Sequence, residues 1–146
     1  MEQEKKSVTI LLVEDDPGHA RLIEKNLRRS NIMNEIINLT DGKKAVDFLF
    51  GVDGAVKRPS PLLILLDLNI PELDGYQVLK RIKADERTRK IPVVMLTSTD
   101  DDREIKKCYE LGCNVYVTKP VDYEKFADAI RKLGLFLSIL QMPGEE

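Results

Sequence analysis

The sequence predicts an α/β fold in three layers, a five-stranded parallel sheet doubly wound with five helices, and three observations predict it. Five short aliphatic runs alternate with segments of helical spacing, at intervals that suit βα repeats. The clearest of these runs show no apolar–polar alternation, which implies strands covered on both faces. The polar residues that stand out, Glu14 to Asp16, Asp67, Thr97 and Lys119, each follow directly on a run. Right-handed crossovers then bring all of these run ends to one edge of the sheet.

Val8-Thr9-Ile10-Leu11-Leu12-Val13 reads as the first strand, because a β-branched and aliphatic run stops abruptly at acidic residues. Pro17 suits a first helical turn, and Ala20, Ile23 and Leu27 keep helical spacing up to the polar break from Arg28 to Asn31. A second strand is expected around Glu35 to Leu39. A turn at Asp41-Gly42 and a helix carrying Ala45, Val46, Leu49 and Phe50 follow it. Leu62 to Leu66 is the most continuous run and ends at Asp67, which places that strand centrally. The fourth strand, Pro92 to Leu96, ends at Thr97, and Asp100-Asp101-Asp102 beyond it reads as the cap and acidic first turn of the fourth helix. The fifth, Asn114 to Thr118, ends at Lys119-Pro120 and leads into the last helix.

At 146 residues the chain is expected to form one domain, with a core over about 7–132 and an extended last helix over about 122–141. Hydrophobic residues at 42% and charged residues at 33% fit a soluble globular domain, and a formal net charge of -2 gives no sign of a nucleic-acid partner. Met1 to Lys6 are polar and charged, unlike a signal peptide, and the apolar stretches fall short of the ~18 residues of a membrane span. A cytoplasmic protein without a membrane partner is the expectation. Cys108 and Cys113 have no second pair or histidine cluster to complete a zinc site, so they are expected to be buried reduced thiols.

The converging carboxylates would repel one another unless a cation held them, and an oxygen-only donor set suits a hard ion such as Mg²⁺. Lys119 could neutralise anionic oxygens and Thr97 could donate a hydroxyl to one, which are the parts needed for phosphoryl transfer to a carboxylate. His19, just past the acidic cluster, invites a phosphoryl-relay reading, but a partly exposed helix residue is the preferred one.

In chain order, four segments resemble the bacterial response-regulator receiver family of two-component systems. They are Val13-Glu14-Asp15-Asp16-Pro17, Asp67-Leu68-Asn69-Ile70-Pro71-Glu72-Leu73-Asp74-Gly75, Met95-Leu96-Thr97-Ser98 and Val117-Thr118-Lys119-Pro120. The resemblance runs from about Val8 to the end of the last helix, and it implies a flavodoxin-like strand order of 2-1-3-4-5. It implies that Asp67 accepts a phosphoryl group from a phosphohistidine on a sensor histidine kinase or phosphotransfer protein. Glu14, Asp15, Asp67 and the backbone carbonyl of Asn69 would arrange Mg²⁺, Asp15 directly and Glu14 through water, with Asp16 a variable, solvated position. Lys119 would bind a phosphoryl oxygen, Thr97 would move toward it, and the small Ser98 would keep the pocket open. Pro71, Asp74 and Gly75 would form the turn into the third helix, and Lys119-Pro120 a cis peptide that aims the lysine. Tyr116 either matches the aromatic switch position or is an edge-strand aromatic packing on a helix.

The function so implied is a switch that turns over only its own phosphoryl group, with output through protein contacts or phosphate relay rather than DNA. A Mg²⁺-dependent phosphohydrolase would share the aspartate and lysine, but it needs a second acid, commonly two residues after the nucleophile, where this chain has Asn69. A binding module independent of phosphorylation would not require the whole site to be present. Two features depart from a minimal receiver. Gly51 to Pro61, with two Gly and two Pro, is a long connection, either a tolerated insertion or a partner contact. In the last helix Phe126, Ile130, Leu133, Leu137 and Leu140 follow steps of four and three, while Leu135, Phe136 and Ile139 add a second apolar face. That second face implies a homodimer through the last helix, and the two features together resemble stand-alone receivers that serve bacterial phytochrome-type sensor kinases.

Overall fold

In the computed structural model of the chain, the described residues are 8–29, 31–51, 58–59, 61–98 and 101–132. They form β1 (Thr9–Val13), α1 (Pro17–Arg29), β2 (Ile36–Leu39), α2 (Gly42–Phe50), β3 (Leu62–Asp67), α3 (Gly75–Ala84), β4 (Val93–Thr97), α4 (Asp102–Glu110), β5 (Val115–Thr118) and α5 (Tyr123–Lys132). Most of the Gly51–Pro61 connection, Asp100, and the stretch from Leu133 to Leu140 expected to extend the last helix lie outside the described residues.

The sheet is parallel throughout, in the order β2-β1-β3-β4-β5. β1, β3 and β4 are buried on both faces, because their side chains serve two cores in alternation, whereas the edge strands β2 and β5 are only partly covered. Ile10, Leu12, Leu63, Leu65, Val94, Leu96, Val115 and Val117 face one core with Ile23 and Leu27 of α1 and Phe126 of α5. Leu11, Val13, Ile64, Leu66, Val93 and Met95 face the other, with Ala45 and Leu49 of α2, Val78, Leu79 and Ile82 of α3, and Cys108 of α4. Burying each of the larger side chains contributes about 1.5–3 kcal/mol, so the two cores hold the strand ends in fixed relation. Cys108 and Cys113 are buried and unpaired, and burial pushes the Cys113 thiol up to about 12, which leaves it without thiolate character.

Each helix begins at an aspartate whose carboxylate accepts backbone N–H groups of the first turn, where the helix dipole favours an anion. Asp16 accepts from Gly18 and His19, Asp41 from Lys44, Asp101 from Arg103 and Asp122 from Lys125. Asp74 and Gln77 form a complete capping box at α3. Asp16 is exposed, as expected for a solvated position, but it also caps α1. Among the described residues, no helix is long and apolar enough to cross a membrane.

Candidate functional site

Strand register assembles the site. Val13 of β1 pairs with Leu66 of β3, so the next residues, Glu14 and Asp67, emerge level with each other. Asp67 pairs with Leu96, and Thr97 pairs with Thr118, so Thr97 and Lys119 emerge beside the acidic pair. Backbone hydrogen bonds Leu68 N to Leu96 O (2.9 Å) and Lys119 N to Thr97 O (2.8 Å) continue the ladder past the strand ends and hold these positions. Glu14, Asp67 and Thr97 are all buried, whereas Asp15 and Asn69 are exposed.

Glu14, Asp15 and Asp67 each offer one carboxylate oxygen, and these oxygens lie within 4.8 Å of one another. Three anionic oxygens without sulfur or imidazole among them suit a hard divalent cation. The Asn69 N–H lies 3.4 Å from Asp67 Oδ1, so the chain folds back over the carboxylate immediately after β3. Lys119 Nζ donates to Glu14 Oε1 at 2.5 Å and to Asp67 Oδ2 at 3.2 Å. The peptide that follows it, Lys119-Pro120, is cis.

Burial, reinforced by the negative charge of Glu14, lifts the Asp67 carboxyl to about 6, against the opposing pull of Lys119. Burial also works against the Lys119 ammonium, but the carboxylates of Glu14 and Asp67 outweigh it, and the lysine is held protonated above its usual range. Asp67 is therefore a desolvated carboxylate with a cation within reach of its outer oxygen, as a nucleophile or acceptor at a sheet edge requires.

Thr97 and Tyr116 fall on the same side of the sheet by strand alternation, the side packed by α3 and α4. Tyr116 is half-buried there, against the core that contains Met95 and Cys108. Ser98 and Pro120 are exposed at the rim. Two contacts were not expected from sequence. His19 is an exposed residue of α1, as its position suggested, yet its Nδ1 lies 3.2 Å from Lys119 Nζ. The Tyr76 hydroxyl of α3 donates to Glu104 Oε1 of α4, and Lys107 Nζ stands 4.1 Å from the Tyr76 ring centre. Burial, with Glu104 as its acceptor, raises the phenol above its ordinary pKa, so the hydroxyl remains a donor.

Residues 10–131 match the response regulator receiver domain family. The response regulator Rcp1 of Synechocystis sp. is 44% identical over 110 residues, 75% of each chain. The structure of the Mn(2+)-bound form of response regulator Rcp1 covers 94% of this chain and 99% of its own at 36% identity and a TM-score of 0.72. A response regulator receiver domain from Rhodospirillum rubrum is 57% identical, covers 95% of this chain and 99% of its own, and has a TM-score of 0.75. The phosphorylated cyanobacterial phytochrome response regulator RcpA is 34% identical over 95% of this chain and 100% of its own, with a TM-score of 0.74.

Proposed function

The chain belongs to the response regulator receiver family, whose members act as phospho-acceptor switches in two-component signalling, and from that premise we propose that Asp67 is the residue that takes up the phosphoryl group. The observation that carries this proposal is the 3.2 Å approach of Lys119 Nζ to Asp67 Oδ2 at the buried end of β3. An Asp67 oxygen attacks the phosphorus of a phosphohistidine on a sensor histidine kinase or phosphotransfer protein. An O–P bond forms, the P–N bond breaks, and the imidazole leaves with the bonding electrons. Lys119 supplies a fixed positive charge to the phosphoryl oxygens, in a setting dry enough for that charge to count.

Glu14, Asp15, Asp67 and the Asn69 carbonyl are the proposed holders of Mg²⁺, which would neutralise phosphoryl charge when bound. Three carboxylate oxygens within 4.8 Å of one another support this, as does the Mn²⁺ in the Rcp1 structure. Thr97 is the proposed sensor of the phosphoryl group, its hydroxyl moving toward it while Tyr116 turns into the space released. Their common face of the sheet supports that coupling. Ser98 would leave the donor's approach open. A second copy of this chain is the proposed partner of the last helix, supported by its two apolar faces in the sequence, and a cytoplasmic location belongs to the same proposal.

Intact mass after incubation with acetyl phosphate and Mg²⁺ tests the acceptor. The protein gains one phosphoryl mass, Asp67→Asn gains none, and omission of Mg²⁺ suppresses the gain. No gain under any of these conditions would refute the acceptor role. A sizing column run on the same samples reads the dimer.

A further inference from the structure

The chain carries one histidine, His19, and the fold puts it in the first turn of α1, directly above the end of β1. Asp16 Oδ1 accepts the N–H of Gly18 at 2.8 Å and of His19 at 3.1 Å, which fixes the start of the helix and the point where the imidazole leaves it. From there Nδ1 reaches to 3.2 Å from Lys119 Nζ, a residue 100 positions away in the chain. An ammonium has protons and no lone pair, so Nδ1 is the accepting nitrogen and Nε2 carries the ring hydrogen. Lys119 thus faces three acceptors, one for each proton: Glu14 Oε1 at 2.5 Å, Asp67 Oδ2 at 3.2 Å and His19 Nδ1 at 3.2 Å.

A phosphoryl oxygen on Asp67 needs one of those protons. The three acceptors do not hold them equally. The Glu14 and Asp67 side chains are 1% and 5% exposed and carry charge, and charge-assisted hydrogen bonds are roughly twice as strong as neutral ones. The His19 side chain is 51% exposed and accepts through a neutral nitrogen, so it can turn into water without stranding a buried polar group. We propose that His19 is a positioning residue for Lys119, holding its third proton in the resting protein and yielding it to the phosphoryl oxygen. The imidazole is a placeholder for that oxygen, and it keeps the lysine aimed across the site while no phosphoryl group is present. This rests on the reading of Asp67 as the acceptor.

The single histidine makes the test direct. Protein labelled with ¹⁵N at histidine gives one Nδ1 and one Nε2 resonance, and beryllofluoride with Mg²⁺ serves as the phosphoryl mimic. On saturation the Nδ1 resonance moves downfield as it loses the lysine proton, while Nε2 stays close to its starting position. His19→Ala binds beryllofluoride ~2- to 10-fold more tightly, because no resting hydrogen bond has to be broken, and His19→Asn, whose amide oxygen can take the place of Nδ1, returns toward the original affinity. If beryllofluoride binds, and Asp67→Asn abolishes that binding, but Nδ1 does not move or His19→Ala leaves the affinity unchanged, the role of His19 is overturned and the acceptor reading stands. If the unmodified protein does not bind beryllofluoride at all, the acceptor reading fails and the role of His19 falls with it.

Discussion

Glu14 is buried, and its charge is met by Lys119 from 105 positions further along the chain, with 2.5 Å between Oε1 and Nζ. The contact ties the end of β1 to the end of β5 across the top of β3, and it is the reason two buried carboxylates coexist there. Removing one partner of a buried pair leaves an uncompensated charge. Lys119→Met is therefore expected to destabilise the fold by about 3–5 kcal/mol in chemical denaturation. Adding Glu14→Gln to that variant should recover part of the loss, because the stranded carboxylate is then gone. Equal losses in the single and double variants would show that the lysine is needed for its packing rather than its charge.

Asp67 bears the opposite relation to stability. Its carboxyl is raised to about 6 in the folded chain, against about 3.9 for an unperturbed aspartate. Between those values the unfolded chain has released the proton while the folded one still holds it, so stability declines as pH rises from about 4 to about 6 and then levels off. Asp67→Asn cannot ionise and escapes that decline. In EDTA the variant is expected to be more stable than the unmodified protein above pH 6, by on the order of 1–3 kcal/mol, and to lose the advantage below about pH 4. Urea melts at several pH values read this directly, and a difference that did not vary with pH would exclude Asp67 ionisation as its source.

What could be read from sequence follows from which contacts are local. Strands buried on both faces must be nearly unbroken aliphatic runs, so Leu62 to Leu66 identified itself, and with it the position of Asp67 one residue later. Glu14, Thr97 and Lys119 were legible for the same reason, since each follows a run that a parallel sheet brings to one edge. The parallel order with β3 at the centre also agrees with what the family resemblance implied. The contact of His19 with Lys119 was not legible, because it depends on how α1 lies against the β5–α5 connection, and no periodicity encodes that. The Tyr76–Glu104 hydrogen bond was hidden likewise, since it joins two helices whose spacing is set by packing on the sheet. Nothing in the sequence singles out Lys83 of α3. Its Nζ donates to the carbonyls of Arg89 and Ile91 at 3.0 Å each and to Asn114 Oδ1 at 3.3 Å, tying α3 to the segment before β4 and the start of β5.

Asp15 is exposed and hydrogen-bonds no buried neighbour among the contacts that build the site, so its removal should spare the fold and impair the cation site. In the unmodified protein a divalent cation at 100 times its dissociation constant adds about 2.7 kcal/mol to stability, because it binds the folded chain alone. Asp15→Asn is expected to melt like the unmodified protein in EDTA and to gain little from Mg²⁺. Thermal shift against Mg²⁺ concentration measures both. A full Mg²⁺ response in the variant would remove Asp15 from the ligand set.

The tie between α3 and α4 can be measured as a coupling. Tyr76 and Glu104 share a hydrogen bond, and Tyr76 also lies under Lys107. Tyr76→Phe and Glu104→Gln should each cost about 1 kcal/mol, with a double-variant cost smaller than the sum by at least ~0.5 kcal/mol. Strict additivity would mean that the two side chains are stabilised by separate neighbours.

Gly75 is the residue on which the geometry of Asp67 depends most closely through the backbone. It is buried as the first residue of α3, and its N–H donates to Leu68 O at 2.9 Å, so the helix starts directly against the chain that leaves β3. A Cβ at this position would stand 2.6 Å from the Asp67 carbonyl oxygen and 2.7 Å from Leu68 Cα, and both of those are backbone atoms that cannot swing aside. Gly75→Ala must therefore move either α3 or the Asp67–Leu68 peptide, at the typical overpacking cost of about 1–3 kcal/mol. Because the displaced peptide carries the acceptor, phosphorylation by acetyl phosphate should slow as well. Gly18→Ala is the matched control, since a Cβ there would meet only the Asp16 side chain, at 3.2 Å, in the exposed first turn of α1. A Gly75→Ala protein as stable and as readily phosphorylated as the Gly18→Ala protein would mean that the β3–α3 junction yields without disturbing Asp67, and that the acceptor is held by its side-chain partners alone.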